Sequence, residues 1–182
     1  MRGIDKHARL VECADMRNRG FLISCLVAGV AIGLSGCGGL GTRPASPVVY
    51  PGHARAANPN DILFRAIGLV GTPYRYGGNT PRGGFDCSGL VDYVFRDVAG
   101  IDLPRTADEM SRIDAPSVAR DALESGDIVF FRTHGRHIGH VGIYVGKGRF
   151  VHAPNEGGTV RLDFLDATYW RERYGGAKRV LK

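Results

Sequence analysis

Residues 83–95 read GGFDCSGLVDYVF. After the cysteine, apolar residues fall at 90, 91, 94 and 95, and again at 98 in the continuation RDVAG. That spacing predicts one apolar helical face, ended by Gly100. Asp86 or Ser88 is placed to cap the N-terminus. Cys87 then stands at the helix start, among backbone N–H groups without intrahelical partners and at the positive end of the helix dipole. Such a position predicts a thiolate, with a pKa below the free-cysteine value of about 8.5. A cysteine here is a packing residue, half of a disulfide, a metal ligand or a nucleophile, and the rest of the chain discriminates.

The chain of 182 residues has four cysteines, at 13, 25, 37 and 87. The first three lie in an N-terminal segment of different character. Residues 16–37, MRNRGFLISCLVAGVAIGLSGC, put two arginines before an apolar run from 21 to 34 and end in small residues. That is the order of a secretory signal, and the run is shorter than the about 20 residues of a membrane span. Leu34-Ser35-Gly36-Cys37 resembles the lipobox of bacterial lipoproteins, which implies cleavage before Cys37 and acylation of that cysteine. Residues 1–15 are polar and charged and fit no signal design, which makes Met16 a candidate start. Residues 1–36 therefore read as a signal segment. Processing would leave Cys87 as the one free thiol in an oxidising compartment, with no intramolecular disulfide partner.

The formal charge is +6, and +4 once residues 1–36 are removed, with 19 Lys/Arg against 15 Asp/Glu. This bias suits an acidic polymer or a membrane surface without requiring either. No basic helix or aromatic–basic stripe argues for nucleic acid. Residues 37–60 carry prolines at 44, 47, 51 and 59 and little periodic pattern, which predicts a tether with His53 as a linker residue. Residues 61–182 form one predicted domain. DILFRAIGLVG has apolar residues at 62, 63, 66, 67 and 70, a helix capped by Asp61 and stopped by Gly71. TPYRYGGNTPRGGF reads as a glycine-rich loop and GDIVFFR as a short apolar strand. HIGHVGIYVGKGRFVHA alternates around Gly146-Lys147-Gly148 and reads as a hairpin. Helices come first and strands follow, the order of an α+β domain with an antiparallel sheet.

The hairpin makes a specific demand on two histidines. With a three-residue loop, Val145 faces Arg149, His140 falls opposite Pro154 and His152 opposite Gly142. His140 and His152 then share one face as diagonal neighbours, roughly 7–8 Å apart at the backbone. A two-residue loop would put them on opposite faces. Val141, Ile143 and Val145 point the other way, into the core. One histidine can take a proton from Cys87 while the other holds it in tautomer and orientation. Spacing alone leaves open which does which. His134, His137 and His140 are spaced by three, but a glycine-rich loop leading into a strand scatters that spacing, and no H-E-x-x-H pattern is present. A Cys/His zinc site needs about four ligands for a structural role. The expectation is no metal and no cofactor, with His134 and His137 at the mouth of the site.

GTPYRYGG, FDCSGLVDYVF, LPRTADEM, SGDIVFF, HVGIYVGKGRFVHAP and the ending YWRERYGGAKRVL resemble the NlpC/p-sixty cysteine peptidases of bacterial cell walls over residues 61–182. The cysteine block and the histidine hairpin, in this order and spacing, carry the resemblance. It implies a papain-like α+β core, with the cysteine helix packed on an antiparallel sheet. It implies Cys87 as nucleophile, His140 as general base and acid, and His152 as the orienting member. Tyr74 matches a family tyrosine near the oxyanion site. Asp86 and Ser88 become helix-start and pocket groups, and Arg105 meets a substrate carboxylate. The loop from Tyr76 to Cys87, with Gly83-Gly84, is one residue longer than in close relatives. Met110 stands where many members have glutamine.

The implied substrate is peptidoglycan and the implied reaction is amide hydrolysis in stem peptides or crosslinks through a thioester. The implied partners are the wall and, through the lipid on Cys37, a membrane; Gly38 after that cysteine favours the outer membrane, facing the periplasm. A related cysteine amidase or acyltransferase, or a catalytically silent wall-binding lipoprotein, is the alternative.

Overall fold

The computed structural model describes residues 48–49 and 57–181. The predicted signal segment 1–36, Cys37 and most of the tether 37–60 lie outside the described residues. In chain order the elements are β1 (Val48–Val49), α1 (Pro59–Ile67), β2 (Asn79–Thr80), β3 (Gly84–Phe85), α2 (Cys87–Ala99), β4 (Ile101–Asp102) and α3 (Ala107–Ser111). A 3₁₀ turn (Arg120–Ala122) leads to β5 (Ile128–His134), β6 (His137–Tyr144), β7 (Arg149–His152), β8 (Arg161–Phe164), α4 (Thr168–Arg173) and β9 (Tyr174–Lys178).

α1 begins before the boundary drawn at Asp61. Asn58 is its cap, accepting from the Asn60 N–H, while Asp61 accepts from the Asn58 N–H and Pro59 opens the helix. Asp61 is therefore the return half of a capping box and not the cap. The helix stops at Ile67, earlier than Gly71, which sits at φ 93° in the turn that follows. The stretch read as a tether also contains β1, whose Val48 and Val49 pair with Asp102 and Ile101 of β4. Residues 79–85, read as loop, contain the small β2–β3 pair.

α2 runs as its periodicity predicts, from an Asp86 cap to Gly100 in the left-handed region at φ 65°. Leu90, Val91, Val94 and Phe95 are fully buried, each contributing about 1.5–3 kcal/mol of apolar transfer. They pack on a five-stranded sheet of order β8-β7-β6-β5-β9, in which all neighbours are antiparallel. Strand alternation sends Ile128, Phe130, Val141, Ile143 and Val151 into the core shared with α1 and α2. Val129, Phe131 and Phe150 go to the other face, where Trp170 of α4 and Leu165 cover them. A helix thus comes late in the chain, between β8 and β9, which the simple order of helices then strands did not anticipate.

The β6–β7 hairpin has the expected register, with Ile143 opposite Val151 and Tyr144 opposite Phe150. The Val145 N–H donates to the Arg149 carbonyl at 2.9 Å. Gly146, Lys147 and Gly148 all lie at positive φ, and the Arg149 N–H closes the turn onto the Gly146 carbonyl. The C-terminal end is tied back by Arg179, whose guanidinium forks onto both oxygens of buried Asp127 at 2.8 and 2.9 Å. This fixes the start of β5 beside β9.

Candidate active site

At the head of α2, the Asp86 carboxylate accepts from the Gly89 N–H at 2.7 Å and the Gly77 N–H at 2.9 Å. Arg105 forks onto it at 2.8 and 2.6 Å. The same guanidinium donates to Ser88 Oγ, and the Ser88 hydroxyl donates to the Arg105 carbonyl at 2.6 Å. Burial alone would raise the Asp86 carboxyl, but Arg105 and the Gly89 and Gly77 N–H groups outweigh it and hold the group below its usual value. Arg105 lines the cleft with its guanidinium already paired to Asp86, a partner the sequence did not suggest. It is neutralised by Asp86, and together they pin the 77–78 loop and the residue 105 loop to the start of the helix.

Glycine makes this junction possible. A Cβ on Gly89 would stand 2.1 Å from the Gly78 carbonyl oxygen, which itself accepts from the Asp86 N–H at 3.0 Å. The loop lies directly on the first turn of α2, where no side chain fits.

Cys87, Tyr74, Asp86, Ser88 and Arg105 line one cleft of about 480 Å³, with Gly139 of β6 on its far wall. The expected thiolate is not what this environment favours. Burial pushes the Cys87 thiol up to about 11, and the adjacent Asp86 carboxylate adds to that; the N–H groups of Ser88 and Val141 oppose them. The N–H groups of the helix start favour a thiolate, but the negative charge of the cap itself opposes one. Tyr74 is also raised, by burial first and then by its neighbours Cys87 and Asp86, so it keeps its O–H proton.

The two histidines meet as the hairpin register requires. His140 Nε2 and His152 Nδ1 are 2.9 Å apart, with ring planes at 90°. His152 is fully buried and His140 nearly so. Burial, and then the neighbouring His152, draws His140 down to about 3. Burial lowers His152 too, against the pull of Asp163. Both rings are neutral at neutral pH. They sit among Phe131, Phe150 and Trp170, with Trp170 stacked on His140 at 5.1 Å between centroids and edge-on to His152 at 4.9 Å.

Cleft and ring pair converge on residues 139–141. Gly139 lines the cleft, the Val141 N–H faces the Cys87 sulfur, and His140 is the residue between them along the strand. Among the described residues no hydrogen bond joins the sulfur to either ring; His140 is bonded to His152. His137 is exposed and lines a separate groove of about 310 Å³ with Arg132, Arg136 and Lys178; Asp108 and Ile138 border both spaces.

Two residues escaped the sequence reading. Asp163 Oδ2 lies 3.0 Å from His152 Nε2, and the Trp170 Nε1–H donates to the same oxygen at 2.8 Å. The signal was VRLDF, an alternating strand one pairing beyond His152, which places Arg161 opposite His152 and Asp163 opposite Phe150.

Residues 71–179 match the model of the NlpC/P60 family. The chain is 49% identical over 114 residues to the murein DD-endopeptidase MepH of Escherichia coli, which covers 62% of this chain and 42% of that protein. It is 35% identical over 168 residues to the probable endopeptidase NlpC of Escherichia coli, covering 86% of this chain and 98% of that protein. The crystal structure of an NlpC/P60 family protein from Bacillus cereus superposes with a TM-score of 0.66 at 29% identity, over 70% of this chain and 42% of that one. The chain therefore spans less than half of MepH and nearly all of NlpC.

Proposed function

This chain belongs to the NlpC/P60 family, and from that premise we propose that it is a peptidoglycan endopeptidase acting through Cys87. The observation that carries the reading is the His140–His152 bond of 2.9 Å, one residue from the Val141 N–H that faces the Cys87 sulfur. The activity named for the MepH relative points to the crosslink between stem peptides as the bond cut.

The reaction starts from a neutral thiol and a neutral imidazole. As the sulfur attacks the amide carbonyl, its proton passes to His140, so that charge separates only in step with bond formation. The carbonyl oxygen becomes an oxyanion within reach of the Cys87 backbone N–H and the Tyr74 O–H; one such donor is worth about 3–4 kcal/mol. His140 then protonates the departing amine, the C–N bond breaks and a thioester remains. A water gives a proton to His140 and adds to the thioester. Collapse releases the acid and returns the proton to the sulfur. His152 holds the His140 ring throughout. Arg105 and Asp86 keep the cleft wall in place.

We further propose that the chain is exported and anchored by lipid at Cys37, facing the periplasm from the outer membrane. The support is the LSGC sequence and Gly38 after it. Cys37→Ser should move the protein from the membrane to the soluble fraction.

Incubating the purified chain with crosslinked muropeptides and reading the products by mass spectrometry tests the activity. Hydrolysis by the parent and none by Cys87→Ala is expected. Equal product from both rejects the reading. Conjugates with an added amine in place of free acids would favour an acyltransferase.

A further inference from the structure

We propose that Asp163 is a positioning residue that fixes the protons on His152 and His140, leaving Nδ1 of His140 bare to receive the Cys87 proton. The inference rests on the cysteine-peptidase reading and adds a fourth member to it.

Three groups meet on one carboxylate oxygen. Asp163 Oδ2 is met by His152 Nε2 at 3.0 Å, Trp170 Nε1 at 2.8 Å and Arg161 at 3.0 Å. The indole and the guanidinium can only donate. The carboxylate is held well below its usual value: burial would raise it, but His152, Trp170 and Arg161 outweigh that. An ionised carboxylate can only accept, so His152 carries its proton on Nε2. In a neutral ring Nδ1 is then an acceptor. His140 Nε2, 2.9 Å away, must donate to it. Neutral His140 is left with a lone pair on Nδ1, the nitrogen that no described hydrogen bond occupies. Each proton follows from the one before, and the chain begins at Asp163.

A plain surface ion pair does not account for the geometry. Arg161 is half exposed, and such a pair alone does little for the fold. The buried His152 ring turned toward the same oxygen, and a tryptophan that both bonds the carboxylate and stacks on His140, tie Asp163 to the ring pair. The charged groups that act on the rings are Asp163 and Arg161 from β8, and Tyr174 from β9 stands against Phe131; β5, β7 and α4 present Phe131, Phe150 and Trp170.

The test pairs ring NMR with kinetics on the full chain. In ¹⁵N-histidine spectra at pH 7, His152 and His140 should both carry the proton on Nε2. Asp163→Ala should give His152 a mixture of tautomers and lower kcat on muropeptides by roughly tenfold to a hundredfold, by analogy with the partners that orient metal-ligating histidines, with KM little changed. Asp163→Asn keeps an acceptor oxygen and should retain the tautomer and most of the rate. Its acid limb should move to lower pH, because a negative charge favouring protonated imidazole is gone. If Asp163→Ala does not fold, the Asn variant and Trp170→Phe carry the test, the latter removing one donor while leaving the carboxylate. Unchanged tautomers in Asp163→Ala, an unmoved acid limb in Asp163→Asn, or changed tautomers with unchanged kcat would each overturn the proposal. Failure of the peptidase reading would show separately, as activity that survives Cys87→Ala, while the NMR result would stand.

Discussion

The Asp86 carboxylate is the cap of the helix that begins with Cys87, and it acts against ionisation of that cysteine's sulfur. Helix-start cysteines are usually read as thiolates because of the dipole. Here burial comes first, and the cap's charge reinforces it. The thiol is therefore expected to react as a thiol at rest. Alkylation of Cys87 by iodoacetamide should remain slow from pH 6 to 8 and keep climbing above pH 9. A plateau reached below pH 7 would mean a preformed thiolate and contradict this picture.

The contact between Gly78 and Gly89 makes a second demand. A methyl group at 89 would lie 2.1 Å from a backbone oxygen, and backbone cannot swing aside as a side chain can. Gly89→Ala should cost about 1–3 kcal/mol, in the range of overpacked cores, and should lose activity because it lifts the loop from the cysteine. Urea unfolding and the muropeptide digest measure both. An unchanged midpoint with full activity would show that the junction is looser than its geometry.

Buried neutral histidines tie stability to pH. His140 is drawn down to about 3 and His152 is lowered as well, burial leading in both cases. Unfolded histidine titrates near 6.5. Below that value the unfolded chain binds protons that the folded rings refuse. Their contribution is therefore intact above about pH 6.5 and declines as the pH falls, by up to about 1.4 kcal/mol per pH unit for each ring. Urea midpoints from pH 7 to 4.5 should show the slope, and His140→Gln should flatten it. Equal slopes in parent and variant would argue against buried neutral rings.

Much of this site was legible because it depends on local periodicity. The α2 face, its Gly100 stop and the β6–β7 register follow from the spacing of apolar residues and from a loop of two glycines around Lys147. Once the loop length is fixed, His140 and His152 must share a face. What was not legible depends on pairings between distant segments. Asp163 reaches His152 only through the β7–β8 pairing, and Trp170 only because α4 folds under the sheet. The partner of Arg105 is Asp86, 19 residues away, which no spacing rule announces. The first helix was misjudged at its cap because Asn58 and Asp61 both suit the role, and only the reciprocal bonds decide between them.

The most direct measurement is the mass of the acid-quenched protein during turnover of a crosslinked muropeptide. The account predicts an acyl adduct on the peptide containing Cys87, released by hydroxylamine and absent in Cys87→Ala, and slower to form in His140→Gln. Steady product formation that Cys87→Ala matches, with no adduct at any time, would contradict it.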